Sequence, residues 1–226
     1  MKSFFTLIVM CCICITAHAQ YDNVKKGEII DINGVKAIVF ETYGNGHGRA
    51  LAAKAIRGKE KLWCANKEHL SQLDMTNESG SINTKHLYNY CIDNRIPINI
   101  FPLFEWCQKL GEGWYIPSSK ELEAFVEFYF GNDQDLDWEE DEEMEALEEL
   151  SPKIINEKIL EAGGYPFSGA TIAGSMHAGG IATSSRNEEG YILVYQYNEK
   201  KKRFQFKEVA PSKLGKYVIG RAFYDF

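Results

Sequence analysis

Residues 110–122 read Leu-Gly-Glu-Gly-Trp-Tyr-Ile-Pro-Ser-Ser-Lys-Glu-Leu, and this stretch decides the fold. Gly113 and Trp114 turn the chain and plug a core, and Pro117 stands just ahead of a helix. Ser118 and Glu121 have the spacing of a capping box, in which a hydroxyl and a carboxylate satisfy the free backbone N–H groups of a helix start. Leu122, Phe125, Val126 and Tyr129 then follow at i, i+3, i+4 and i+7, a single apolar stripe. The pattern predicts a helix that ends at Gly131 and buries one face.

Outward from it, a preceding helix is expected over Leu103 to Leu110, with Phe104 and Cys107 inward. Further upstream, Val24 to Ala37 reads as an opening hairpin turned at Asn33-Gly34, and Val35 to Glu41 continues as a strand. Gly44 to Gly48 reads as a tight turn, and Ala50 to Ile56 as a third strand. From Gly58 to Pro102 short apolar pieces are broken by Asn, Ser, Gly and Pro, which predicts long loops and one short helix near His86 to Cys91. Downstream, Asp133 to Glu149 holds eleven Asp or Glu residues in seventeen. It reads as part of an acidic helical insertion at about residues 132–163, a solvated charged face in its plainest reading. Tyr191 to Tyr197, Arg203 to Val209 and Tyr217 to Phe223 are strand candidates, the first two joined by a polar tip. Strands at both ends with helices between them give an α+β domain, its terminal strands in one mixed or antiparallel sheet with two or three helices and long loops.

The stretch 110–122 resembles the GW-x-(L/I)-P-(S/T)-x-x-E-L signature of secreted C-type-lectin-like domains common in Bacteroidetes. These are related to families of unknown function and, more distantly, to the formylglycine-generating-enzyme fold. The Gly46-His47-Gly48 turn, Trp63, Asn83-Thr84 and the closing Arg221 to Phe226 follow in the family's order. Ala182-Thr183-Ser184-Ser185 resembles its W-x-S-S segment, with Ala182 where the tryptophan would stand. The resemblance implies one C-type-lectin-like domain over residues 20–226 and a variable loop face for a protein or glycan ligand. The related oxidases use a reactive cysteine pair near the C-terminus, and no cysteine follows Cys107, which argues against that activity.

The chain has 226 residues and a net charge of −7. Its first residues have the three parts of an export signal. Lys2 is the positive start, Phe4 to Thr16 an uncharged apolar run, and Ala17-His18-Ala19 a small-x-small cleavage site before Gln20. The run is too short for a comfortable membrane span. Export through the inner membrane is therefore expected, to the periplasm, the cell surface or the outside, with a processed form that is not membrane-embedded. Loss of Lys2 makes that form more acidic still, which argues against nucleic acid and anionic membranes as partners. A hydrophobic content of 45% is ample for a core. After processing Cys64, Cys91 and Cys107 remain. Either Cys91 and Cys107 are bridged across one loop-and-helix unit, or all three are buried free thiols.

No chemistry stands out. Asp133, Asp135 and Asp137 alternate as in a calcium loop, but Trp138 occupies the glycine position and Met144 the bidentate glutamate position. No metal or other cofactor is expected. His47, His69, His86 and His177 are scattered singly, and Ser184 and Ser185 lie in no nucleophile elbow. Exposed aromatics supply large contact areas at low entropic cost. The candidate contact residues are thus Tyr165, Phe167 and Tyr191, with Trp138 on the acidic insertion and His177 in the glycine-rich stretch. The expectation is an exported, non-catalytic binding or adhesion module for a protein or glycan. The alternatives are a secreted hydrolase using carboxylates and a structural component of a surface assembly.

Overall fold

Two Asn-Gly pairs build the first sheet. A computed structural model describes residues 21–56, 63–76, 78–130, 152–166, 180–198, 203–210 and 219–226. Strand β1 (Ile29–Ile32) turns at Asn33 and Gly34, with φ of 53° and 84°, into β2 (Val35–Gly44). β2 turns again at Asn45 and Gly46 into β3 (His47–Ala52). Left-handed backbone at both central residues matches the twist of the strands it joins, and Asn and Gly adopt it at low cost. The expected tight turn over Gly44 to Gly48 is thus shorter, with Gly44, His47 and Gly48 inside strands. The third strand stops at Ala52, and Ile56 makes an isolated bridge to Gly220.

β2 carries the core on both faces. Ala37 and Val39 face a cluster with Trp63, Leu87, Phe104, Trp114 and Ile116. Ile38 and Phe40 face another with Tyr115, Leu122, Phe125, Val126 and Tyr129. The side-chain alternation of a strand puts neighbours on opposite faces, so one strand nucleates two cores.

Four helices are described. α1 (Gly80–Asp93) is more than twice the length expected and begins earlier than the predicted His86. Its buried residues include Asn83, Thr84, Leu87 and Cys91, a helical face whose first turn is polar and so leaves no apolar stripe. α2 (Pro102–Gln108) matches the expected helix before the motif, with Phe104 and Cys107 buried. α3 (Ser119–Phe130) buries Leu122, Phe125, Val126 and Tyr129 as the stripe requires. α4 (Pro152–Glu161) buries Ile155 and Ile159. Pro152 is its first residue, where the missing N–H costs no intrahelical bond. The rest of the acidic insertion, Gly131 and the export signal lie outside the described residues.

A second antiparallel sheet holds β4 (Ile181–Arg186), β5 (Ile192–Asn198) and β6 (Arg203–Val209), in that order. β4 was unforeseen. The last strand, β7 (Phe223–Asp225), is shorter and later than the expected Tyr217 to Phe223. It leaves the late hairpin and pairs antiparallel with β3, with Leu51 opposite Phe223. There are therefore two sheets where one was expected, and the architecture is α+β. Ile219 joins them, bridging in parallel to Ile181 four residues before Phe223 enters the first sheet. No helix among the described residues is long and apolar enough to cross a membrane.

A candidate binding groove

The capping box forms as the sequence implies, and it does more. Ser118 N–H donates to Glu121 Oε2 at 2.8 Å, and Glu121 N–H donates to Ser118 Oγ at 3.2 Å. The same Oε2 accepts the Gly80 N–H at 2.8 Å, so one carboxylate closes the starts of both α3 and α1. A Cβ at Gly80 would stand 2.6 Å from that oxygen, which explains the glycine. Arg49 Nη2 lies 3.6 Å from Glu121 and its Nε 2.7 Å from Asp225, while Tyr115 Oη donates to Asp225 at 2.8 Å. Burial lifts the Glu121 carboxyl above its ordinary range, against the downward pull of the two amides and Arg49.

Behind the motif runs a buried polar seam. Ile116 N–H donates to Thr84 Oγ1 at 3.0 Å, and Ser184 N–H to Pro117 O at 2.7 Å. Ser184 Oγ donates to Pro117 O and accepts from Asn83 Nδ2, both at 3.2 Å, and Ser119 N–H donates to Ser185 Oγ at 2.9 Å. The Ser-Ser pair of β4 thereby satisfies a motif backbone that would otherwise be buried without partners. Its role is to hold the fold.

In front of the motif the chain opens. Ser81, Thr84, Lys85 and Tyr88 occupy one face of α1 at i, i+3, i+4 and i+7. With Gln108 and the loop from Gly111 to Tyr115 they line a groove of about 490 Å³, within the size range of ligand sites. Gly113 has φ of 87°, and a Cβ there would strike the Tyr224 ring at 2.5 Å, so glycine alone brings the loop this close to β7. Trp114 packs on Tyr224 with ring centroids 5.2 Å apart. It is 3% exposed, and its Nε1 has no hydrogen-bond acceptor among the described residues. Lys85 and Glu112 are exposed at the rim, and Lys85 forms no ion pair among the described residues.

Two of the sequence-expected contact residues, Tyr165 and Tyr191, fall elsewhere. Tyr165 and Tyr191 are exposed at 44% and 42% but do not line the groove. Tyr165 is tied by its backbone to Ala53 and Arg221, and Tyr191 by its N–H to Asn187. Trp138, Phe167 and His177 lie outside the described residues. Of the motif, Gly113 and Trp114 line the groove, while Pro117, Ser118, Glu121 and Leu122 are buried behind it. Sequence reading missed the wall on α1, whose one available signal is the helical spacing of Ser81, Thr84, Lys85 and Tyr88.

The three cysteines are free thiols in this structure. Cys91 and Cys107 are both buried and unbridged, as is Cys64. Burial pushes the Cys64 thiol up to about 11 and the Cys107 thiol up to about 12, and raises Cys91 as well. Thiols so protonated are poor nucleophiles. Among the described residues no group of three or more His, Cys, Asp or Glu side chains is placed to hold a metal. Among the described residues Glu112 is the one carboxylate lining the groove, so they do not supply the paired carboxylates of glycoside hydrolysis there.

No family model, curated protein or solved structure matches this chain.

Proposed function

We propose that this protein is an exported, non-catalytic binding module of C-type-lectin-like fold, acting in the periplasm, at the cell surface or outside the cell. Its ligand is a protein segment or a glycan, and it lies in the groove between α1 and the Gly111–Tyr115 loop. One observation carries this reading. The most specific stretch of the sequence lines an open groove of about 490 Å³ on one side, while its other side is spent on the core. The export signal and the resemblance of residues 110–122 to secreted domains support the cellular setting, and the acidic net charge of −7 fits a partner other than nucleic acid.

The test is a glycan-array and protein-capture screen with the processed domain beside a Ser81→Trp variant. Ser81 is exposed on α1, so the substitution fills the groove without entering the core. Ligands bound by the parent and lost by the variant, in the presence or absence of a calcium chelator, support the reading. Ligands that bind both proteins equally refute it.

A further inference from the structure

Among the described residues two donors of the groove have no acceptor, and both point to the same ligand chemistry. The indole N–H is a donor only, and a buried donor left unpaired costs free energy that a bound acceptor recovers. Trp114 Nε1 is such a donor. Its ring is turned toward the groove loop, since a side chain at Gly111 would stand 4.0 Å from Cδ1, the atom bonded to Nε1. Gly111 itself has φ of 122° and carries no side chain, so no Cβ of residue 111 stands against this edge of the indole. The second donor is the Lys85 ammonium on the facing wall, next in sequence to Thr84, which is bonded to Ile116 N–H two residues past Trp114.

Resting on the groove reading above, we infer that the ligand is a peptide chain end: a free α-carboxylate held between Lys85 and Trp114 Nε1, with an apolar last side chain against Tyr88. A charge-assisted contact from an ammonium favours a carboxylate over a neutral oxygen. The count of charges selects the source of that carboxylate. Glu112 stands on the same groove, and the chain as a whole is acidic. An acidic polysaccharide, with a carboxylate on successive sugars, sets one charge against Glu112 whenever another reaches Lys85. A peptide end carries a single terminal carboxylate and an N–H-bearing backbone that suits Glu112 as an acceptor.

The experiment uses the processed domain and a pool of acetylated hexapeptides randomised at the last two positions, with free or amidated C-termini. Binding is read by enrichment and then by titration of single winners. Enrichment of apolar terminal residues is expected, with at least a tenfold loss on amidation. Lys85→Met is expected to lose at least tenfold, Lys85→Arg to retain most binding, and Glu112→Gln to leave carboxylate dependence intact. Trp114→Phe, with its fold checked by circular dichroism, is expected to weaken binding severalfold. Equal binding of amidated peptides, no effect of Lys85→Met, or selection of an oligouronate over every peptide overturns the inference. Should no peptide bind while array ligands are still lost by Ser81→Trp, the chain-end inference fails and the groove reading survives. Should Ser81→Trp leave every ligand bound, both fall.

Discussion

The stretch 110–122 has two sides that use the same kinds of atoms in opposite ways. On the inner side, the N–H groups of Ile116, Ser118 and Ser119 and the carbonyl of Pro117 meet partners on α1, Glu121 or β4. On the outer side, the buried Trp114 indole N–H and the Lys85 ammonium on the same groove have none among the described residues. Polar groups fully satisfied inside a protein specify one arrangement, whereas those left over are available to something else. The difference separates residues that hold the fold from those to which we assign the ligand, within a dozen positions of chain.

The largest expected effect comes from breaking the inner side at its junction. Glu121→Ala leaves the Gly80 and Ser118 N–H groups without their acceptor and removes a neighbour of Arg49, and it is expected to cost about 3 kcal/mol in urea unfolding. A loss below about 1 kcal/mol would show that water replaces the carboxylate at both helix starts. Ser184→Ala is next, at about 1 to 2 kcal/mol, because the buried bonds of its hydroxyl to Asn83 and to Pro117 O are lost. Ser185→Ala removes a hydroxyl that bonds the Ser119 N–H at the start of α3, and about 1 kcal/mol is expected.

The outer side should answer differently. Lys85→Met is expected to change stability by less than about 0.5 kcal/mol, as an exposed substitution does. It should act on binding alone, so a large stability loss would erase the contrast between the two sides. Smallest of all is the expected reactivity of the thiols. With pKa values raised by burial, Cys64 and Cys107 hold little thiolate at pH 8, so alkylation of the native protein should be slow. Mass spectrometry of the denatured processed chain should then show three labels, and a single label would reveal a bridge.

Much of the inner side was legible in the sequence, because a capping box and an apolar stripe have local spacings. Ser118, Glu121, Leu122, Phe125, Val126 and Tyr129 do what their positions imply. α1 was hidden because part of its buried face is Asn83 and Thr84, which pair with Ser184 and Ile116 rather than pack as hydrophobes. β4 was hidden for the same reason, since Thr183, Ser184 and Ser185 are buried polar residues. Partners 101 positions apart, as Asn83 and Ser184 are, leave no local pattern. The groove suffered doubly. One wall lay on a helix that reads as loop, and exposed aromatics elsewhere drew the eye because their exposure is visible only as type, never as place.

The pairing of β7 with β3 has a consequence for how this protein comes to be folded. Arg49 and Asp225, partners across that pair, are 176 positions apart. A chain delivered from its N-terminus presents β1, β2 and β3 long before β7 exists, and throughout that interval β3 is an unpaired edge able to template a foreign strand. The bridge at Ile219 closes the second sheet against the same late segment. Completion of the first sheet and its junction with the second therefore wait on residues 219–226, and contacts so distant in sequence make for slow folding. The period of greatest exposure to misassembly is set by the time the chain takes to arrive.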